Sequence, residues 1–254
     1  MLAAAELVRL HVPGPWRSVA AIHTAQPAAQ PTPAVPPAPG QALIDEDPIA
    51  RIIAAHQAKL DLTAHRASGD VRNIVPRIIR LADNAGLPFL VVDKRSARLF
   101  IFDAQGRLLD DGPVLLGLAR GDNTVPGIAE RPLDQVRPFE RTTPAGRFVA
   151  RHGRNTAGED VVWVDYGAAV SMHRVRATVA AERRLQRLAS RTSADNRISF
   201  GCINLPPALY EQGVQPLLLR SPAVVYVLPE TRPITKQFRS LFDDAPADHP
   251  GLRA

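Results

Sequence analysis

The chain has 254 residues, enough for one sizeable domain with flanks or for two small ones. Hydrophobic residues make up 45% and charged residues 22%, the balance of a globular protein; no apolar run is long enough for a transmembrane helix. A single cysteine excludes an intramolecular disulfide.

Net charge is +6 and the pI is about 10.2. Arginine supplies nearly all of it, since only Lys59, Lys94 and Lys236 are lysine. Arginine clusters suit phosphate or an anionic polymer, and a GC-rich coding preference explains the same excess. There is no zinc-type Cys/His spacing, no Walker loop and no interleaved basic and aromatic face. Neither nucleic acid, a metal nor a cofactor is therefore expected.

The first 24 residues start Met1-Leu2-Ala3, and Glu6 and Arg9 interrupt any secretory h-region. Residues 25–40 are Pro/Ala-rich, with almost nothing to bury, and read as an extended spacer. A helical segment spans 41–87. Its first helix has Asp47 as N-cap and Pro48 at the first helical position, with Ile49, Ile52, Ile53, His56 and Leu60 at helical spacing. A second helix covers 71–84 and ends on the C-cap chemistry of Asn84-Ala85-Gly86. His56 and His65 read as ordinary helix residues.

From 88 the period changes to that of strands. Phe89–Asp93, Arg98–Asp103 and 107–117 form an antiparallel meander. Residues 118–140 are a long Gly/Pro/Asp-rich loop. Strand 147–151 follows, and then a hairpin of Val161–Asp165 and Ala168–Met172, which ends on His173. A helix is expected over 175–191, a short extended run at Arg197–Ser199, a short helix from Pro206, and a last buried strand over Ala223–Leu228. The tail from 231 to 254 is polar and is expected to fray.

The chemistry centres on Ser199-Phe200-Gly201-Cys202-Ile203-Asn204. Most free cysteines are small buried hydrophobes. A catalytic thiol needs a base and donors for an oxyanion. His173, at the end of its strand run, is the candidate base. Arg197–Ser199 is the neighbouring strand that would bring Cys202 to it. The backbone N–H of Gly201 or Cys202 is the candidate oxyanion donor. His152 is the next candidate base, with a loop histidine as its alternative.

These residues resemble the L,D-transpeptidase (YkuD-type) catalytic domain. His173 after a strand, Ser199-x-Gly201-Cys202 followed by an apolar residue and Asn204, the Thr143-Pro-Ala-Gly-Arg-Phe148 segment and the opening meander stand in the family's order over about 88–230. The resemblance implies a mostly β, sandwich- or barrel-like fold with a cysteine acyl-transfer site. It implies Cys202 as nucleophile, His173 as general base and acid, and Ser199 and Gly201 as support of the turn. Peptidoglycan stem peptides would be the substrate, and an amine from a second stem or an anchored protein the acceptor. That chemistry belongs in the periplasm or cell envelope.

The pattern departs from the family at three places. Phe200 replaces a usual histidine. Asn204 stands where many members carry an arginine near the substrate carboxylate, and Arg174 is a candidate to compensate. The helix expected at 175–191 lengthens the interval between His173 and Ser199; it is either a cap that alters acceptor choice or an ordinary surface helix. Two other activities fit the same residues: a carboxypeptidase-like cysteine hydrolase, and an inactive wall-binding scaffold of the same fold.

Overall fold

The structure, a computed structural model, describes residues 48–65 and 67–243. The expected N-terminal segment, the Pro/Ala spacer, the Asp47 cap and the last residues of the tail lie outside them.

Two helices come first, α1 (Pro48–Ala64) and α2 (Gly69–Arg80). Ser68 caps α2, its Oγ accepting the Val71 N–H at 3.3 Å. Val71, Ile74, Val75, Ile78 and Ile79 form its buried face. The helix stops earlier than 84 because Ala82 and Ala85 take positive φ (52° and 51°). Asn84 instead ties the loop, donating to the carbonyls of Leu87 at 2.7 Å and Ala104 at 2.9 Å. α1 reverses the expected face. Ile49, Ile52, Ile53 and Leu60 are exposed, and the helix docks through Ala55, Ala58 and Leu62. Alanines let its axis come close to α2, which the isoleucines would prevent.

The rest of the chain builds β1 (Phe89–Asp93), β2 (Arg98–Phe102), β3 (Leu108–Pro113), β4 (Leu116–Gly117), β5 (Gly146–Arg154), β6 (Asp160–Asp165) and β7 (Val170–Arg174). After them come α3 (Arg184–Ala189), β8 (Arg197–Ser199), β9 (Ile203–Leu205), α4 (Gln215–Arg220), β10 (Ala223–Val227), α5 (Ile234–Gln237) and α6 (Arg239–Phe242). Eight strands make one sheet in the order β3-β2-β1-β10-β5-β6-β7-β9. The β1–β10 and β7–β9 pairs are parallel and the others antiparallel. The two edges nearly meet: Leu115, just past β3, exchanges both backbone hydrogen bonds with Asn204 of β9 at 2.9 Å. The fold is thus mostly β, a nearly closed barrel-like sheet with a few helices.

Apolar runs at β1, β2 and β10 explain the layering. Alternate residues of a strand face opposite sides. Leu90, Val92, Leu99, Ile101, Val225 and Val227 fill the barrel interior. Phe89, Val91, Phe100, Phe102, Val224 and Tyr226 face outward into a second core, closed by α1, α2, α5 and α6. Strands covered on both faces read as continuous hydrophobic runs. Phe89 stacks on Phe102 with centroids 4.6 Å apart. Each such fully buried side chain contributes about 1.5–3 kcal/mol. The expected frayed tail is corrected over 231–243: Ile234, Phe238 and Leu241 are buried in the outer core.

A buried charge cluster crosses from the β1–β2 turn to the loop before β5. Lys94, fully buried, donates to Asp122 Oδ1 at 2.8 Å and to the carbonyls of Gly121 at 2.5 Å and Thr143 at 2.9 Å. Glu230 lies 3.6 Å from Lys94 Nζ and bonds Arg197 at 2.5 Å. Burial disfavours the Asp122 carboxylate. Lys94, the Thr231 hydroxyl and the backbone N–H groups of Glu230 and Thr231 outweigh that and hold its carboxyl below the usual range.

Candidate active site

The turn from β8 to β9 is held by its own hydroxyls. Ser199 Oγ donates to the Cys202 carbonyl at 2.6 Å and accepts the Gly201 N–H at 3.1 Å. Gly201 sits at φ +134°, and a Cβ there would lie 2.8 Å from the Thr142 carbonyl oxygen, so no other residue fits. Thr143, fully buried, latches the turn to the preceding strands. Its Oγ1 donates to the Gly201 carbonyl at 2.8 Å and accepts the Gly117 N–H at 2.9 Å. The Thr-Pro-Ala-Gly-Arg-Phe segment therefore sets the shape of a turn some sixty residues away in sequence.

The strand beside His173 is not the expected one. β8 pairs with β4, in parallel, and the positive φ of Gly201 turns the chain so that β9 runs beside β7. His173 is in register with Asn204. In-register residues of parallel strands point to one side, so the two side chains meet. His173 Nε2 lies 3.1 Å from Asn204 Nδ2, and Nδ1 lies 2.8 Å from the Arg174 carbonyl oxygen. The half-buried Cys202 lines the same cavity as the His173 ring and interacts with it. Its Sγ is also 3.6 Å from Ser171 Oγ and 3.6 Å from the Ala169 carbonyl oxygen.

Burial by itself raises the Cys202 thiol pKa. Interaction with the neighbouring His173 ring, the charge that develops on that imidazole and the Ser171 donors override it and bring the thiol down to about 7. Burial likewise lowers His173, but interaction with the thiol and the attraction to a thiolate raise it on balance. Each partner favours the other's charged form. Such a pair presents a thiolate near neutral pH, with a proton carrier beside it.

An open cavity adjoins the thiol. The turn (Ser199, Phe200, Cys202, Asn204) and β7 (Ser171, His173) form its floor. The wall comes from 175–191, through Arg176, Val179, Glu182 and Arg184. That segment is mostly not a helix. It runs without regular structure to one tight turn at Ala180–Glu182, passes Arg183 at φ +51°, and becomes helical only over α3. Arg176 pairs with Glu159 at the end of the β5–β6 hairpin. The ordinary surface helix is corrected to a cavity wall, because Arg176 pairs with Glu159 and Arg184 bonds Asn204.

The other candidate residues fall elsewhere. Arg174 bonds Asp160 at 2.8 Å and Glu211 at 2.7 Å and lies over the Tyr210 ring, and it does not line the cavity. Asn204 does line it, but its amide is occupied by His173 and by Arg184, whose Nη1 donates to Oδ1 at 2.6 Å. The Gly201 N–H is committed to Ser199. Phe200 lies under the Arg141 guanidinium, 3.9 Å from ring centroid to cation. His152 lies on β5, with Nε2 buried and unpartnered, away from the thiol cavity. Among the described residues no group of three or more His, Cys, Asp or Glu could hold a metal ion.

Three residues went unassigned in the sequence reading. Ser171 was legible by strand period, two positions before His173 on the same face. Thr143 was quoted only as part of a motif. Arg184 has no local signal at all, since it reaches the site only through the path of 175–191.

Fold and site together define a mostly β protein with a cysteine–histidine pair lining an open cavity. No family model and no curated protein matches the chain. Among solved structures it is similar to the helical cell shape determining protein Pgp2 from Campylobacter jejuni, 14% identical over 57% of this chain and 49% of that one, TM-score 0.38. It is similar to the L,D-transpeptidase from Mycobacterium smegmatis, 18% identical over 55% and 58%, TM-score 0.32. It is also similar to the catalytic domain of the E. faecium L,D-transpeptidase, 18% identical over 56% and 96%, TM-score 0.31. The chain spans about half the length of Pgp2.

Proposed function

We propose that the protein is an L,D-transpeptidase that acts on peptidoglycan stem peptides, with Cys202 as nucleophile. The observation that carries this reading is the Cys202–His173 pair, with its thiol brought down to about 7, open to a cavity. The ordered likeness of the Thr143–Phe148 segment, His173 and the Ser199–Asn204 turn to that family supplies the substrate class.

In this mechanism His173 Nε2 takes the thiol proton, and Sγ attacks the carbonyl carbon of the residue before the terminal D-amino acid. The oxyanion needs a donor. With the Gly201 N–H engaged, that donor is the Cys202 N–H. His173 returns the proton to the leaving amine, which leaves a thioester on Cys202. An acceptor amine, from a second stem or an anchored protein, then gives its proton to His173 as it attacks. Ser199 and Gly201 hold the turn, and Asn204 and Arg184 hold the imidazole. Arg174 supports the edge of β7 through Asp160 and Glu211.

The substrate places the enzyme in the periplasm or cell envelope. No helix of the described residues is long and apolar enough to cross a membrane. The test is mass spectrometry of the purified protein with a disaccharide-tetrapeptide fragment. A stable or trapped adduct on Cys202 is expected, and a cross-linked product when an acceptor amine is present. No adduct on Cys202 overturns the proposal. Formation of the disaccharide-tripeptide and the free terminal D-amino acid alone, with acceptor in excess, replaces transfer by hydrolysis.

A further inference from the structure

The His173 ring makes two hydrogen bonds of opposite sense. Nδ1 faces the Arg174 carbonyl oxygen at 2.8 Å; a carbonyl only accepts, so Nδ1 carries a proton. Nε2 faces Asn204 Nδ2 at 3.1 Å; an NH₂ group only donates, so Nε2 is met as an acceptor. Which way round the Asn204 amide sits is decided by a third residue. Arg184 Nη1 donates to Asn204 Oδ1 at 2.6 Å, and a guanidinium has no acceptor. Turning the amide over would set its NH₂ against the guanidinium, inside a site where Asn204 is only 1% exposed. Arg184 is itself held by Glu182, at 2.5 Å. A continuous line of bonds therefore runs from the 175–191 wall to the imidazole.

We propose that Arg184 is a positioning residue that sets the basicity of His173 by pinning the Asn204 amide, so that the cavity wall tunes the thiol–imidazole pair. This rests on His173 being the base of Cys202. The pinned amide donates into the lone pair that must receive the thiol proton. It stabilises the neutral imidazole and opposes full charge separation before substrate arrives. Released, the amide can turn its oxygen to Nε2 and favour the imidazolium. The charged and titratable groups that line the cavity with the ring are Cys202 from the turn and Arg176, Glu182 and Arg184 from the wall, of which Cys202 and Arg184 act on the ring. Arg174, on the ring's own strand, is turned away to Asp160 and Glu211.

The test uses the full chain and no wall substrate. Nitrogen-15 spectra of the histidine rings, with His173 identified by its loss in His173→Gln, report both its titration and whether a donor engages Nε2 of the neutral ring. Iodoacetamide alkylation reads Cys202 alone, because the chain has one thiol. In Arg184→Met the neutral-ring Nε2 resonance is expected to move toward that of a free imidazole. The His173 pKa should rise by about one unit, and alkylation near pH 6 should quicken several-fold. Arg184→Lys, which keeps a donor, should return all three toward the wild type. Should Arg184→Met fail to fold, Asn204→Asp decides, since a carboxylate can only accept and must release Nε2 from its donor. An unmoved Nε2 resonance overturns the relay in either variant. A pKa rise in Arg184→Met without that movement is the effect of charge acting through space, and overturns it equally. Failure to form an adduct with the stem peptide would sink the transpeptidase reading and leave these measurements intact.

Discussion

The two sides of the cavity are built by different means. The Cys202 turn is fastened by buried, short bonds: Ser199 and Thr143 satisfy the backbone around Gly201, and Lys94 braces the Thr143 carbonyl from behind. The opposite wall, 175–191, is fastened by long, partly exposed arginines to Glu159, Glu182 and Asp195. Buried polar groups are costly to disturb because a lost partner leaves a desolvated group. Exposed ion pairs contribute little, since water replaces each partner. The turn is therefore costly to deform, and the wall is cheaper to move.

This contrast can be broken from either side. The largest effect is expected from Cys202→Ala, which should abolish adduct formation and turnover with the melting temperature within a few degrees of wild type; any retained turnover moves the nucleophile elsewhere. His173→Gln comes next. Turnover should fall by roughly 10²–10⁴, and the midpoint for alkylation of Cys202 should climb from about 7 toward that of an ordinary thiol. The sign follows from the thiol pKa being lowered in the folded protein: the thiolate is present above about 7 and is lost as pH falls through it. A midpoint unchanged in the variant would remove His173 as the cause.

Bracing of the turn is tested by Lys94→Met, which strands Asp122 and part of Glu230 among buried groups. Breaking a buried pair in this way costs about 3–5 kcal/mol, to be read by urea denaturation; a loss under about 1 kcal/mol would mean that the cluster does not hold the turn. The smallest effect on stability is expected on the wall. Arg176→Ala removes a partly exposed pair with Glu159 and should cost less than about 1 kcal/mol, while changing KM for stem peptide or acceptor more than kcat. A large stability loss there would erase the distinction between turn and wall.

Much of the framework was legible. The meander, the β6–β7 hairpin and the last buried strand follow from β-branched runs at Phe89–Asp93, Val161–Asp165 and Ala223–Val227. Local pattern failed where tertiary packing chose between faces. α1 carries an isoleucine stripe at perfect helical spacing, yet buries alanines, because the distance to α2 decided which face could dock. Residues 175–191 are rich in helix formers, but the chain there is stretched across the cavity and keeps only α3 helical, because its arginines find partners on the sheet. The polar tail was expected to fray, but Ile234, Phe238 and Leu241 are spaced to close the outer core.

By itself the sequence determined that Cys202 stands alone, that glycine precedes it and that His173 ends a strand run; these are properties of residue type and local period. Only the tertiary structure decided that β9, and not β8, lies beside His173, that Thr143 latches the turn, and that Arg184 reaches Asn204. Each of these depends on where the chain goes after it leaves a strand, and that is set by sheet closure between Leu115 and Asn204 and by the positive φ of Gly201. The thiol and its histidine were visible in one dimension, and the groups that hold them, Thr143, Asn204 and Arg184, were visible only in three.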